Sequence, residues 1–112
     1  MVRTVAGVQD PITVDLVAVT AEGQVVLIMV EDRQWDGSNE RVLELQTKIS
    51  NYVSFALDGQ MIRLYPEAEG RSLAIQLDCT SEPDDSIHRF LQQIEPRLAA
   101  HGIELKINLL RA

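Results

Sequence analysis

Two runs of β-branched and aliphatic residues, joined by a short loop, place the strongest constraint on the fold. Residues 12–20 read ITVDLVAVT, residues 24–31 read QVVLIMVE, and Ala-Glu-Gly lies between them. Runs of this composition are typical of strands, and a loop of two or three residues that contains glycine is typical of a tight hairpin. The sequence therefore predicts a β-hairpin near the start of the chain.

The length of the loop decides which hairpin residues share a face, and two registers are open. A two-residue turn leaves one apolar set facing away from the predicted helices, and we call this set the hairpin patch: Val17, Val19, Val26, Ile28 and Val30. A three-residue loop shifts the register and leaves a second set there instead: Val17, Val19, Val25, Leu27 and Met29. Both registers follow from the two-residue period of a strand.

Either register leaves five apolar side chains on a sheet face without an obvious cover. Contiguous apolar patches of this kind usually mark association in soluble proteins. We therefore expect a homodimer formed through the hairpin patch or the edge of the hairpin. The alternative within one chain is that residues 2–8 fold over the patch.

Residues 38–58 have the apolar spacing of an amphipathic helix. Apolar residues recur there at steps of three and four: Val42, Leu45, Ile49, Tyr52, Val53 and Ala56. Asp36 or Ser38 supplies the N-cap oxygen, and Gly59 suits the left-handed position after the helix. The sequence predicts a first helix over this range.

Residues 61–65 and 71–79 flank a segment, PEAEG, whose proline and glycine are typical of a turn. We predict a second hairpin here. In its longer strand, alternation places four residues on one face: Leu73, Ile75, Leu77 and Cys79.

The last third of the chain predicts a helix followed by a strand. The segment SEPDD at residues 81–85 combines a serine cap, a proline and acids that favour a helix start, and the helix ends at His101 and Gly102. Pro96 lies inside this helix and is expected to kink it. Residues 103–109 then alternate apolar and polar side chains, as a strand with one solvated face does.

The predicted order is ββαββαβ, which packs most simply as a two-layer α+β sandwich. We expect a mixed five-stranded sheet with both helices on one face. Residues 12–110 form a single domain in this interpretation, and residues 1–11 are a tail or an extra edge segment.

Charge and cysteine content narrow the partners and the compartment. The chain of 112 residues has 17 Asp and Glu against 10 Lys and Arg, a net charge of −7, which disfavours nucleic acid and anionic membranes as partners. Cys79 is the only cysteine, so no internal disulfide forms, and no signal peptide is recognisable in residues 1–11. The apolar run at residues 25–30 is too short to cross a bilayer. We expect a cytoplasmic protein.

Known catalytic motifs are absent from the sequence. It has no G-x-G-x-x-G, no G-x-S-x-G and no H-E-x-x-H. His88 and His101 lie thirteen residues apart, so they do not have the short spacing of a zinc site and are interpreted as solvated helix residues. Cys79 continues an apolar strand face and is interpreted as an inert core thiol. We expect no catalytic residue, no metal and no cofactor.

Trp35 is the most informative single residue, because it is the only tryptophan and lies in a polar loop. It is interpreted either as a lid over the end of the core or as an aromatic anchor for a partner or small ligand. For the second interpretation we define a candidate ligand site of six residues: Asp32, Arg33, Trp35, Asp36, Tyr65 and Arg71. A guanidinium there would hold an anion and the aromatic rings a flat ligand. Two sets of acids could supply oxygen ligands to a hard cation, although neither has the spacing of an EF-hand loop: Glu31, Asp32 and Asp36, and Asp78, Glu82, Asp84 and Asp85. The second set is interpreted as solvated, helix-capping groups.

The chain also resembles a known family. The strings VDLVAVTAEGQVVLIMVEDRQWD and LELQTKISNYVSFALDGQMIRLYPEAEGRSLAIQL carry the likeness, which extends from about Val14 to Leu105. Together they resemble a family of small uncharacterised bacterial proteins, a domain of unknown function. The resemblance implies a compact bacterial domain and assigns no activity, cofactor or substrate to any residue.

The sequence therefore predicts a noncatalytic binding or interaction module that acts as a homodimer, with an unknown protein partner as a further expectation. The alternative is a small-ligand sensor or enzyme with a pocket near Trp35, Tyr65 and Arg71.

Overall fold

A computed structural model describes residues 16–110, and these residues form one four-stranded sheet and three α-helices. The strands are β1 (Leu16–Val19), β2 (Val25–Glu31), β3 (Leu73–Cys79) and β4 (Ile103–Leu109). The helices are α1 (Asn39–Leu57), α2 (Gln60–Leu64) and α3 (Asp85–Ala100), and a 3₁₀ turn spans Pro66–Ala68. The predicted N-terminal segment, residues 1–11, and the start of the first predicted strand, residues 12–15, lie outside the described residues.

The strands lie side by side in the order β1-β2-β3-β4. β1 runs antiparallel to β2, while β3 runs parallel to β2 and β4 runs parallel to β3. The α+β class and the mixed sheet are thus confirmed, but the observed sheet has four strands within residues 16–110 where five were expected.

The predicted second hairpin is wrong, because its first strand is helical. Gly59, at φ 85, ends α1 in the left-handed conformation, and α2 begins at the next residue. Met61 and Tyr65 are four residues apart, one helical turn, and both pack against the core. A short apolar run fits a strand or a helix equally well by spacing, and here packing selects the helix.

Both long helices are where their apolar periodicity predicts them. α1 is flanked by Ser38 and Asp58, as the range 38–58 implied. α3 starts after Asp84, whose carboxylate accepts a hydrogen bond from Ile87 N at 3.0 Å, so the cap is this aspartate and not the expected serine. Pro96 lies inside α3.

One face of the sheet packs against the helices and forms the core. The buried cluster takes side chains from alternate strand positions, such as Leu27, Ile75 and Leu77, and from the inner faces of α1 and α3, such as Ile49 and Ile87. The expected common face of β3, which continues to the buried Cys79, agrees with this alternation.

The first hairpin has the register of the three-residue loop. Val19 pairs with Val25 and Val17 with Leu27, and Thr20 N donates to Gln24 O at 2.9 Å. The register with a two-residue turn is therefore wrong. Gln24 N also donates to the Thr20 side chain at 3.1 Å, which holds the loop in this form.

This register divides the hairpin patch between the two faces of the sheet. Val17 is buried in the core, together with most of the alternative outer set: Val25, Leu27 and Met29. Val26 lies on the opposite face but is only 3% exposed. The expectation that the five residues share one uncovered face is corrected, because the helices cover the side that Val17 occupies.

None of the helices in residues 16–110 has the length and apolar content that a membrane span requires.

Candidate functional site

A buried carboxylate lies where β2 ends. Glu31 is the last residue of β2 and is fully buried. Its Oε2 accepts hydrogen bonds from the backbone N and the Nε of Arg33, both at 2.9 Å, and its Oε1 accepts one from Arg33 Nη2 at 2.7 Å. From α1, Arg41 Nη2 approaches the same Oε1 to 3.0 Å. Two guanidinium groups thus neutralise one buried acid.

Glu44 completes a four-residue ion cluster, which we call the carboxyl-end cluster: Glu31, Arg33, Arg41 and Glu44. Arg33 Nη2 donates to Glu44 Oε1 at 2.7 Å. Burial by itself would raise the pKa of Glu31, but hydrogen bonds from Arg33 and the charges of both arginines hold that pKa below its ordinary value. Hydrogen bonds to the two glutamates raise the pKa of Arg33. The cluster has two positive and two negative charges, so it balances itself.

Trp35 connects this cluster to the loop after β3. Its ring packs against the core, and Arg41 Cζ lies 4.9 Å from the ring centroid. The indole Nε1 donates to Ser81 O at 3.1 Å. The ring and its N–H therefore have partners within the chain, an arrangement that fits the lid interpretation.

The acids near the helix starts bind backbone amides. Asp84 accepts from Ile87 N through Oδ1 and from Gly37 N, at 2.9 Å, through Oδ2, so it ties α3 to the loop before α1. Asp36 Oδ1 accepts from Ser38 N at 2.9 Å, and the hydrogen bonds of Ser38 lower the pKa of Asp36. Within residues 16–110, no three or more His, Cys, Asp and Glu side chains are grouped to hold a metal ion.

The candidate ligand site from the sequence is divided between the two ends of the sheet. Four of its residues follow the carboxyl end of β2: Asp32, Arg33, Trp35 and Asp36. Arg71 instead precedes β3 at the opposite end, where Nη1 donates to Gly23 O at 3.2 Å and Nε donates to Glu67 O at 2.8 Å. A seven-residue strand spans roughly 20 Å, so one small ligand does not reach both ends.

Tyr65 lies with Arg71 at the amino end, beside β1. It lines a small cavity with Val17, Val19, Val25, Glu67 and Ala68. The cavity volume is about 20 Å³, enough for a single water molecule and too small for an organic ligand.

Cys79 is enclosed in the fold, whereas both histidines lie at the surface. Cys79 is fully buried, and burial, followed by the charge of Asp78, raises the pKa of its thiol. Its Sγ contacts Asn108 O at 3.9 Å. His88 and His101 are exposed, on α3 and at its C-cap.

The outer edge of β4 is the second notable region, and we call it the β4 edge: residues Ile103–Leu109. Among residues 16–110, β4 pairs with β3 alone. Leu110 N donates to Cys79 O at 2.7 Å, so even-numbered residues direct their N–H and C=O groups toward β3. The backbone groups of Leu105 and Ile107 consequently point away from β3, as an edge strand presents them.

Apolar and charged side chains lie beside this backbone, which pairs on one side only within residues 16–110. Ile107 is 46% exposed and Leu110 is 39% exposed. A groove of about 360 Å³ runs between α3 and β4, lined by Glu95, Ala99, Gly102, Ile103, Glu104 and Leu105. The helix layer therefore leaves room beside β4.

On the other side of the sheet, polar side chains of β4 reach across β3. Gln24 Nε2 donates to Glu104 Oε1 at 3.0 Å, and Lys106 Nζ donates to Gln24 Oε1 at 2.7 Å. Ala74, the β3 residue paired with Glu104, is fully buried. Glu104 remains exposed, whereas Lys106 is half-buried.

Residues 6–111 match a family of unknown function, DUF6572. The chain belongs to this family. Neither a curated protein nor a solved structure matches the chain. Membership confirms the resemblance carried by the sequence and assigns no activity to the family's residues in this chain.

Sequence reasoning missed most of the carboxyl-end cluster. Arg33 was a candidate and Glu31 was considered as a cation ligand, but their pairing with Arg41 and Glu44 was not expected, because β2 and α1 meet only in the folded chain. Arg41 falls one position before the apolar stripe of α1, so its 7% exposure is not evident from periodicity. Lys48 is likewise fully buried, with Nζ 5.5 Å from the centroid of the Tyr52 ring.

Proposed function

We propose that this domain is a noncatalytic interaction module that binds its partner by strand addition at the β4 edge. In this mode an extended segment adds a strand to a sheet, and main-chain hydrogen bonds supply much of the affinity. The observation that carries the proposal is the outward direction of the Leu105 and Ile107 backbone groups, beside an Ile107 side chain that is 46% exposed.

The noncatalytic part of the proposal is supported by how the reactive groups are used. The buried acid is neutralised by two arginines, the thiol is buried with a raised pKa, and Asp36 and Asp84 bind backbone amides. A group that is already paired in this way has little capacity left for acid, base or nucleophilic chemistry.

The sensor or enzyme alternative has weaker support. It required Trp35, Tyr65 and Arg71 around one pocket, whereas Trp35 follows the carboxyl end of β2 and Arg71 precedes the amino end of β3. The small cavity beside Tyr65 does not extend the site toward Trp35.

Amide hydrogen exchange tests the proposal directly. The probe is a synthetic peptide with the sequence of residues 103–110, IELKINLL, added to the full chain at a concentration low enough for the chain alone to be monomeric. We expect the amides of Leu105 and Ile107 to become protected as the peptide concentration rises, since the added strand accepts their hydrogens. If the exchange rates of both amides do not change up to the solubility limit of the peptide, the proposal is overturned.

Ile107→Pro is the matched variant for this test. Proline removes the Ile107 N–H, which points outward, so it removes no hydrogen bond between β3 and β4. We expect the variant to keep its far-ultraviolet circular dichroism and to bind the peptide at least about tenfold more weakly, whereas Ile107→Val should bind nearly as the parent does.

A further inference from the structure

We propose that the strand added at the β4 edge is β4 of a second copy of this chain, antiparallel, with Leu105 on the two-fold axis. This inference rests on the proposed function and names its partner. It draws on the backbone directions of β4, the order of its charges and the groove beside it.

Symmetry leaves few registers for such a pair of strands. In an antiparallel pair about a two-fold axis, paired residues face the same side of the sheet, so the axis passes through a residue that pairs with its own copy. Lys106 on the axis would set two ammonium groups against each other, which is unfavourable. Ile107 on the axis would place Lys106 opposite the partner's Asn108, with no opposite charge.

Leu105 on the axis gives a complementary arrangement. Glu104 then pairs with the partner's Lys106, and by symmetry Lys106 pairs with the partner's Glu104. The backbone groups of residues 104 and 106 point toward β3, so this is a pair without direct hydrogen bonds, in which side chains are closest. Two ion pairs flank the axis on the face of the sheet away from the helices.

The same register satisfies the backbone and the apolar side chains. Leu105 exchanges N–H and C=O hydrogen bonds with its copy, and Ile107 pairs with the partner's Ile103. Ile107, 46% exposed in the single chain, is thereby covered. The groove between α3 and β4 gives room for side chains on the helix side of the added strand.

Charge reversal at two positions tests the register. Glu104→Lys places two positive groups opposite each other, and Lys106→Glu places two negative groups there, so each change should raise the dimer dissociation constant about tenfold or more. An equimolar mixture of the two variants should form a heterodimer, because every pair across its axis is again of opposite charge. The double variant Glu104→Lys, Lys106→Glu should dimerise like the parent.

Glu69→Lys is the control, since it makes the same charge change at an exposed site that follows the 3₁₀ turn, near the opposite edge of the sheet. Sedimentation equilibrium should give it the dissociation constant of the parent. If the mixture of single variants stays monomeric while each variant is folded, the proposed register is overturned.

A disulfide provides a second test that does not depend on charge. A hydrogen-bonded antiparallel pair has its Cα atoms about 5.5 Å apart, within the range of disulfides, so Leu105→Cys should cross-link two chains under mild oxidation. Ile107→Cys is the matched control, because its copies would lie roughly 14 Å apart, too far for a disulfide. Cross-linking through residue 107 and not through residue 105 would overturn the register. The parent chain should not cross-link, because its Cys79 is buried.

The outcomes separate this inference from the proposed function. A parent chain that is monomeric at micromolar concentration, but whose Leu105 and Ile107 amides are protected by the peptide, contradicts the dimer and leaves strand addition standing. If the peptide also has no effect, both proposals fail.

Discussion

The carboxyl-end cluster and the β4 edge contain the same kinds of charged side chain and use them in opposite ways. Glu31 is fully buried, and two arginines of the same chain neutralise it. Glu104 is exposed, and the Gln24 amide donates a hydrogen bond to it while accepting one from Lys106. A buried charge needs a partner inside the chain, so Glu31 acts in folding, whereas an exposed charge such as Glu104 can pair with another molecule.

Neutralising the two acids should therefore have very different effects on stability. Glu31→Gln leaves Arg41, which is 7% exposed, as a buried charge with less compensation, and we expect the free energy of unfolding to fall by about 3 to 5 kcal/mol. Urea unfolding monitored by Trp35 fluorescence measures this. If the free energy of unfolding falls by less than about 1 kcal/mol, the carboxyl-end cluster does not stabilise the fold, and its contrast with the β4 edge is lost.

A fall in pH should test the structural role of Glu31 in a second way. The folded pKa of Glu31 is held below its ordinary value of 4.5, so the unfolded chain takes up a proton more readily than the folded chain does. The stability that Glu31 contributes is then present above about pH 4.5 and is lost as the pH falls through the folded pKa. We expect the difference in unfolding free energy between the parent and Glu31→Gln to shrink steadily on acidification. A constant difference across that range would contradict the pairing of Glu31 with the arginines.

Removing the helix cap at Asp84 should have the next largest effect on the free energy of unfolding, since Asp84 is only partly buried. Asp84→Ala removes the acceptor for Ile87 N and for Gly37 N, and we expect a loss of about 1 kcal/mol in unfolding free energy. Asp85→Ala, in the first turn of α3, is the control and should cost less. Equal effects from both changes would show that the charge near the helix end matters and that the hydrogen bonds do not.

Glu104→Gln should have the smallest effect on the single chain. Glu104 is exposed and accepts a surface hydrogen bond from the Gln24 amide, so the free energy of unfolding of the monomer should change by no more than about 0.5 kcal/mol. Urea unfolding at a concentration where the chain is monomeric measures this, with Glu31→Gln as the reference. If Glu104→Gln lowers the free energy of unfolding as much as Glu31→Gln does, Glu104 stabilises the monomer, and its assignment to an interface is weakened.

Periodicity predicted the long elements and failed for the short one. α1, α3 and β4 have many apolar residues at one period, so their positions follow from the sequence to within a few residues. Residues 61–65 contain too few turns or alternations to separate a strand from a helix. The 3₁₀ turn and α2 are selected by the packing of Met61 and Ala68 against the core.

The candidate site shows the same limit. Trp35 and Arg33 are recognisable because an aromatic ring and a guanidinium are unusual in a short polar loop. Tyr65 and Arg71 were grouped with Trp35 and Arg33 only by residue type. The sequence alone does not show that the length of a strand separates the two pairs in the fold. The partners of Arg33 became evident only when α1 was placed beside the end of β2.

The long helices and strands, the two possible registers of the first hairpin and the α+β class could be read from the sequence alone, because they follow from periods of a few residues and from loop length. The face of the hairpin that meets the helices is evident only in the folded chain, since the strand pattern is apolar on both sides between Val25 and Val30. The folded chain also shows that Glu31 is enclosed by Arg33 and Arg41 while β4 keeps its outer backbone unpaired within residues 16–110. Strand order and the enclosure of charges depend on contacts between residues far apart in the chain, and no short-range pattern contains them.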